Sequence, residues 1–507
     1  MRPKPARAAR GSADDTRLAI ESFLSASTQP VLIEPGEAPF AIVPGSFEIE
    51  ERGSFAVFSV WDDSRSLSRK IVAARPIAKG RLELDIERFG GRAGTITAVD
   101  LARPQNGHWH LRTERMTGRE RLRHSLGRQF PEWKIVEVSS EPDLEHSLSP
   151  VCARAFLRRG TAGLAVIGAS DSQSASSAMT FGLIWLDYLR GRERKCAIEG
   201  LAVFLPSGCE NDTALRMKHL DPSGGRWELW ATSPDGYEDR IDWRDIGNIN
   251  TRVEPRSEAA DVENHAVAGR LSRLHGVETL EAPGGASFRV RGLEIARLAN
   301  GRVQFGIDAL QDASESNWRE IERLTEIVSR MRRGGLSGAA AGGPLCAREP
   351  ERWLESMVRG RIETVDASLL PTPVYGQVPA MAGLSRDILD LVAVDRGGRL
   401  AIVELKASED IHLPMQALDY WIRVKWHLER GDFSTAGYFP GIVLSNAPPR
   451  LLLVSPALQM HPANEAVLRY VSREVDVEQV GVSASWRTEL RVVARRRFGS
   501  GANRASI

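Results

Sequence analysis

The chain is predicted to be an α/β (α+β) protein with several domains in succession. Three observations predict this. At 507 residues it is too long for one hydrophobic core. Apolar residues alternate in short runs through the first hundred residues, then form buried-strand runs separated by helical periodicities. A stretch of small residues, GGLSGAAAGGPLCA at 334–347, then interrupts the pattern and reads as a flexible linker.

Composition narrows the class. Apolar residues make up 42% and charged residues 26%, as in ordinary globular chains. A net charge of +1 excludes a global basic field, so any nucleic-acid surface must be local. Cys152, Cys196, Cys209 and Cys346 form no CxxC pair, which argues against a zinc site and a disulfide framework. A reducing, cytoplasmic setting is expected. No apolar run reaches membrane-spanning length, and the basic start MRPKPARAARGSADD lacks the apolar core of a secretory signal.

Residues 1–14 read as a disordered tail and 15–112 as a mostly β domain. ADDTRLAIESFLSAS opens it as a short helix, started by Asp14 or Asp15. VLIE, FAIV, FEIE, FAVFSVW, RLELDIERF, GTITAVDLA and HWHLR follow as strands punctuated by Gly and Pro. His108 and His110 alternate on the last of these as candidate metal ligands, although no third ligand is visible.

Residues 113–333 read as an α/β domain with a closing helix. KIVEVS is a strand, EPDLEHSLSPVCARAFLRRG a helix with Pro near its middle, and GLAVIGAS a buried strand. SASSAMTFGLIWLDYLRGR is a helix, and IEGLAVFLPSG and RWELWAT are strands, which suggests a partly parallel sheet. Ala299-Asn300-Gly301 turns a hairpin. ESNWREIERLTEIVSRMRR is the closing helix, with Trp318, Ile321, Leu324, Ile327, Val328 and Met331 along one face.

Residues 348–495 form the last domain, ahead of a basic tail at 496–507. It starts with a helix, REPERWLESMVRGRIETVDASLL. ILDLVAV and RLAIVELKA are strands joined by the turn Asp395-Arg396-Gly397-Gly398, where glycine supplies positive φ. The helix LPMQALDYWIRVKWHLERG follows, then strand-like PGIVLS and the runs PRLLLVSP, NEAVLRYVS and VDVEQVGVSASW.

The chemistry concentrates in that hairpin. Glu404 and Lys406 share one strand face directly after the apolar LAIV, and buried strands rarely carry two charges without a reason. Asp390 can approach Glu404 across the hairpin. Two carboxylates make an oxygen-rich site for Mg²⁺ or Mn²⁺, and Lys406 can orient a water or stabilise developing charge. The plain alternative is a structural ion pair on a strand.

This constellation resembles the PD-(D/E)xK nuclease superfamily, with Asp390 as the first acid (preceded by Leu389 where many members have Pro) and Glu404-Leu405-Lys406 as the second half. The resemblance covers residues 350 to about 460. It implies a restriction-endonuclease-like mixed sheet flanked by helices, and cleavage of DNA. RecB-like and resolvase-like members add an acid on the first helix, matched by Glu355, and Q-x-x-x-Y on the later helix, matched by Gln416 and Tyr420. By resemblance Glu355 supports the metal or its water, Gln416 orients phosphate or a metal-bound water, and Tyr420 contacts substrate. Glu351 is an alternative to Glu355 unless it is a solvated helix-face residue; Arg386 and His412 flank the site as candidate phosphate contacts or ordinary solvated positions, and Trp421 and Trp426 read as core rather than base-stacking platforms. The arrangement is also similar to NucS-type endonucleases, in which a DNA-binding β domain precedes the nuclease domain. A homodimer is compatible with all of this. So is a nuclease fold kept as a catalytically inactive nucleic-acid-binding or scaffold protein.

GLAVIGAS (163–170) parallels RLAIVELKAS (399–408), and WLDYLR (185–190) parallels ALDYWIR (417–423). Aligned by residue type, Gly168 stands at Glu404 and Ser170 at Lys406. A duplicated scaffold that lost its ligands in the first copy is one reading; chance similarity of two strand–helix units is the other.

Overall fold

The computed structural model describes residues 12–34, 39–61, 66–88, 92–247, 249–256, 262, 265–282, 285–333, 344–382 and 385–499. The chain divides into two compact units. One comprises residues 1–181, 192–207 and 230–239; the other comprises 182–191, 208–229 and 240–507. Among the described residues no helix is long and apolar enough to cross a membrane.

The first unit opens with α1 (Ala13–Ser25), capped by Ser12, whose hydroxyl accepts the Asp15 N–H, rather than by Asp14 or Asp15. Seven strands come next: β1 (Pro30–Ile33), β2 (Phe40–Ala41), β3 (Phe47–Arg52), β4 (Phe55–Trp61), β5 (Ser66–Ala78), β6 (Arg81–Arg88) and β7 (Arg92–Asp100). They form one antiparallel sheet in the order β2-β1-β7-β6-β5-β4-β3. Ile20 of α1 packs on its inner face with Phe58, Ile71, Leu84 and Ile96. Sequence patterning misses β5, because Arg69, Lys70, Arg75 and Pro76 break its apolar alternation.

HWHLR is not a strand. It begins α2 (Gly107–Gln129), a helix with six Arg and three Leu, which are good helix formers. His108 and His110 thus lie on a helix rather than alternating on a strand, and their side chains are outside the described residues. The domain boundary expected at 112/113 runs through this helix.

Next come β8 (Lys134–Ser139), β9 (Ala153–Arg159), β10 (Ala162–Gly168), α3 (Ser172–Arg192), β11 (Ala197–Pro206), α4 (Glu210–Lys218), β12 (Arg226–Thr232) and β13 (Glu238–Ile241). The six strands lie in chain order in one sheet. β8, β9 and β10 are antiparallel, and β10–β11 is parallel. The helix expected over 141–160 is absent. Two prolines disfavour it; the segment makes an Asp143–Leu148 bridge and then β9, whose Ala153–Leu157 are fully buried.

In the second unit, α5 (Ala266–Leu271), the meander β14 (Val277–Ala282), β15 (Gly285–Val290), β16 (Leu293–Ala299), β17 (Arg302–Phe305) and β18 (Gln311–Asp312), and α6 (Trp318–Met331) share one core. On α6, Trp318, Ile321 and Val328 are buried as expected, with Thr325 completing the stripe. This region is tied across 334–347 to the residues that open the last region. Buried Arg332 donates to the carbonyls of Leu345, Arg348 and Glu349 and lies over the Trp353 ring. Gly292 (φ +80°) lies so close to the Arg352 carbonyl that a Cβ there would meet it at 2.0 Å.

The last region runs α7 (Pro350–Arg359), β19 (Tyr375–Ala382), β20 (Ser385–Val394), β21 (Leu400–Leu405), α8 (Leu413–Glu429), β22 (Arg450–Pro456), α9 (Ala463–Leu468), β23 (Asp476–Val482) and β24 (Val492–Phe498). Its six strands again lie in chain order. β19–β20–β21 are antiparallel, β21–β22–β23 parallel, and β24 closes antiparallel. α7 packs on β20 and β21, and α8 on β21 and β22. The expected first helix is split, ending at Arg359 before a short turn at Ile362–Val365. PGIVLS forms no strand, and NEAVL is helical. The tail expected from 496 begins inside β24, an edge strand whose Arg495 and Arg497 pair with Glu478.

Candidate active site

The β20–β21 hairpin sets the geometry. Asp395 Oδ1 accepts the N–H groups of Gly397 and Arg399, and Gly398 (φ +80°) passes beside the Val443 carbonyl. Beyond the turn the strands pair from Val394–Leu400 to Leu391–Val403. There the backbone ladder gives way to a side chain. Asp390 Oδ2 accepts the Leu405 N–H at 2.9 Å, the position a backbone carbonyl would take if pairing continued. On its other edge β21 stays paired, with Lys406 N–H donating to Val454 O at 3.0 Å. Asp390 is thereby held beside Glu404 at the carboxyl end of β21.

Glu404 is 3% exposed, and its Oε2 is buried with no hydrogen-bond partner. Burial, and then the Asp390 charge, push its carboxyl well above the usual range, against the pull of Lys406. Burial likewise raises Asp390 to about 6, opposed first by the Leu405 hydrogen bond, with Glu355 adding to the rise. Lys406 keeps its charge despite burial, because Glu404, Glu351, Asp410 and Asp390 surround it; its Nζ lies 3.5 Å from Asp410 Oδ2.

α7 brings both of its acids to the site. Glu355 is 2% exposed and accepts from Arg352 (3.0 Å) and Arg359 (3.3 Å). Arg359 also pairs with Glu278 of β14, as does the Ser356 hydroxyl, so the meander fixes the roll of α7. Gly376 is needed beneath it: a Cβ there would meet Arg359 Nη1 at 2.6 Å and Glu355 Oε1 at 2.7 Å. Glu351, one turn earlier, acts on Glu404 and Lys406, whereas Glu355 acts on Asp390. The two are therefore complementary rather than alternatives.

Gln416 and Tyr420 are half-buried one turn apart on α8. Trp421 is core, donating to Pro449 O at 2.8 Å, and Trp426 is half-buried with Arg430 over its ring. His412 stands at the N-terminal boundary of α8 without a side-chain capping bond, and burial lowers its pKa. Arg386 lies on β20 opposite Met381, and its side chain is outside the described residues.

Sequence reasoning missed Asp410 and Arg352. Asp410 is four residues after Lys406 in a loop, and Arg352 is three before Glu355 on a helix turn, so neither carries a strand-pattern signal. It also missed Arg216 of α4, which clamps Asp419 of α8 through two bonds of 2.8 and 2.7 Å.

Among the described residues no group of three or more His, Cys, Asp or Glu side chains gathers as a metal cluster. The donor set still fits Mg²⁺ or Mn²⁺, which bind through one or two carboxylates and keep several waters. The orphaned Glu404 oxygen beside Asp390 is the atom such an ion would satisfy. No protein-family model matches the chain, and no curated protein matches it.

Proposed function

We propose that the chain is a metal-dependent nuclease that hydrolyses phosphodiester bonds of DNA at Asp390, Glu404 and Lys406. The observation that carries this is the carboxylate pair, buried Glu404 beside half-buried Asp390. Two acids side by side, one of them buried with an unsatisfied oxygen, are costly unless a cation joins them. The order α7-β19-β20-β21-α8-β22 and the placement of both acids at the splay of β20 from β21 support the same reading.

Asp390 and Glu404 would hold the ion, which when bound polarises the phosphate and lowers the pKa of a water. Lys406 orients that water toward phosphorus and offsets charge on the phosphoryl oxygens. One P–O bond forms to the water oxygen and one ester P–O bond breaks. The water proton passes to solvent, and the departing ester oxygen takes one up. Glu351 and Asp410 keep Lys406 charged. Arg352, partly exposed beside Glu355, is placed to receive a backbone phosphate.

A panel of single-stranded, duplex and supercoiled DNA, with RNA alongside, is incubated with Mg²⁺ or Mn²⁺ beside Lys406→Ala. Cleavage by wild type alone is expected. Wild type and variant behaving alike would remove the proposal. The near-neutral net charge of +1 and the ligand-free echo at 163–190 motivate one second reading, a binding or scaffold protein that keeps the nuclease fold. Under it, Mg²⁺ titration calorimetry gives no heat, and Asp390→Asn leaves metal affinity unchanged.

A further inference from the structure

The two six-stranded sheets share more than their class. α2-β8-β9-β10-α3-β11-α4-β12-β13 and α7-β19-β20-β21-α8-β22-α9-β23-β24 share nine elements in the same order, the second run adding short helices at Ile362–Val365 and Asp432–Thr435. Both sheets run in chain order; in each the first three strands are antiparallel, and the third pairs parallel with the fourth across a helix.

Side-chain faces and hydrogen bonds fix the residue correspondence. Leu164 and Val166 of β10 share a core with Leu122 and Leu126 of α2 and with Ala202 and Phe204 of β11. Ala401 and Val403 of β21 share theirs with Leu354 and Val358 of α7 and with Leu452 and Val454 of β22. Past the paired strands, Ala169 N–H donates to Phe204 O at 2.9 Å, as Lys406 N–H does to Val454 O at 3.0 Å. Ala169 therefore stands where Lys406 stands, Gly168 at Leu405 and Ile167 at Glu404, one residue away from the alignment by residue type. Arg154, which pairs with Ile167 across β9–β10, takes the place of Asp390. On the helices Leu186-Asp187-Tyr188 matches Leu418-Asp419-Tyr420, which sets Ile184 at Gln416.

All four polar site positions are thus replaced in the first copy, while the Asp-Tyr pair is kept. The retained aspartates have structural work within the second unit. Asp419 binds Arg216, and Asp187 binds Arg469 at 3.2 Å. Arg154 is 6% exposed and puts a buried positive charge where the second copy has a metal carboxylate, which repels a divalent ion.

We infer that the chain carries this scaffold twice and that only the second copy can take a divalent cation. Each chain then has one centre and cuts one strand of a duplex per encounter. The cutting half rests on the proposed nuclease activity; the single-site half does not.

Two measurements on the full chain separate them. Bound Mn²⁺ counted by electron paramagnetic resonance should be one per chain in wild type and in Arg154→Ala, and zero in Glu404→Gln. Two ions in wild type, one surviving Glu404→Gln, would overturn the single-site claim. No bound ion would overturn both it and the metal-dependent reading. With supercoiled plasmid in excess over protein, nicked circle should accumulate before any linear form. Linear product without a nicked precursor would overturn the one-strand claim while leaving the nuclease reading intact. One bound ion with no cleavage would overturn the nuclease reading and the one-strand claim with it, and leave the single site standing.

Discussion

The carboxyl ends of β10 and β21 solve the same packing problem with opposite chemistry. At β10, Ile167 is 1% exposed and lies across from buried Arg154, and Gly168 lets the strand close against Leu122 of α2. At β21, Leu405 fills the corresponding space, and Glu404 and Lys406 bury charge on the opposite face. The first arrangement shows that the scaffold closes without these charges. Their presence in the second is therefore not a requirement of folding, and a costly feature the fold can do without points to chemistry.

The largest effect expected from breaking this contrast is on activity. Glu404→Gln and Lys406→Ala should each lower single-turnover cleavage by about 10²–10⁴-fold. Arg154→Ala, at the matching place in the first copy, should change it by less than about twofold. Equal losses at Arg154 and Glu404 would show that both copies take part in the reaction.

Stability should move the other way. The Asp390 carboxyl lies near 6 in the folded chain against an ordinary 3.8, so the folded state holds its proton longer than the unfolded state. Below about pH 4 the group contributes nothing to pH dependence. As pH rises from there through 6, the unfolded chain releases the proton first and the fold loses about 2–3 kcal/mol, which stays lost above. Asp390→Asn should therefore raise the metal-free melting temperature of the second unit at pH 7.5 but not at pH 4. Mg²⁺ should stabilise wild type at pH 7.5 and progressively less below pH 6, where protons compete. Scanning calorimetry of both proteins across this range checks the sign.

The candidate site strand was legible because charge in an apolar run is a local signal. Asp390, Glu404 and Lys406 needed only the period of two to fall on one face. Glu351, Asp410 and Arg352 converge through helix roll and loop path, which pattern does not encode. The scaffold of the first copy was half legible. LAVI and LAIV match as letters, yet Leu164 faces its helix while Leu400 does not face α7, so residue identity set the alignment one position off. α2 was hidden by its arginines, and β9 by the prolines and short bridge ahead of it.

A weaker perturbation tests the support beneath Glu355. In Gly376→Ala the new methyl must displace Arg359 or the Glu355 carboxylate, both of which are side-chain ends able to move. A loss of about tenfold in cleavage, smaller than for Glu404→Gln, is expected from a misplaced supporting acid. Unchanged cleavage would remove Glu355 from the site and leave Glu351 as the acid of α7 that matters.

The smallest effect belongs to the glycine of the first copy. A methyl on Gly168 would meet Leu122 Cδ1 at 3.0 Å, a contact that Leu122 can relieve by changing rotamer. Gly168→Ala should cost about 1 kcal/mol, read as faster hydrogen exchange in α2 and β10. Cleavage should not change, because the substitution lies in the copy that has no ligands to misplace. A drop in cleavage comparable to that of Gly376→Ala would mean that the packing of the first copy is coupled to the second, and that the ligand-free scaffold does more than fill space.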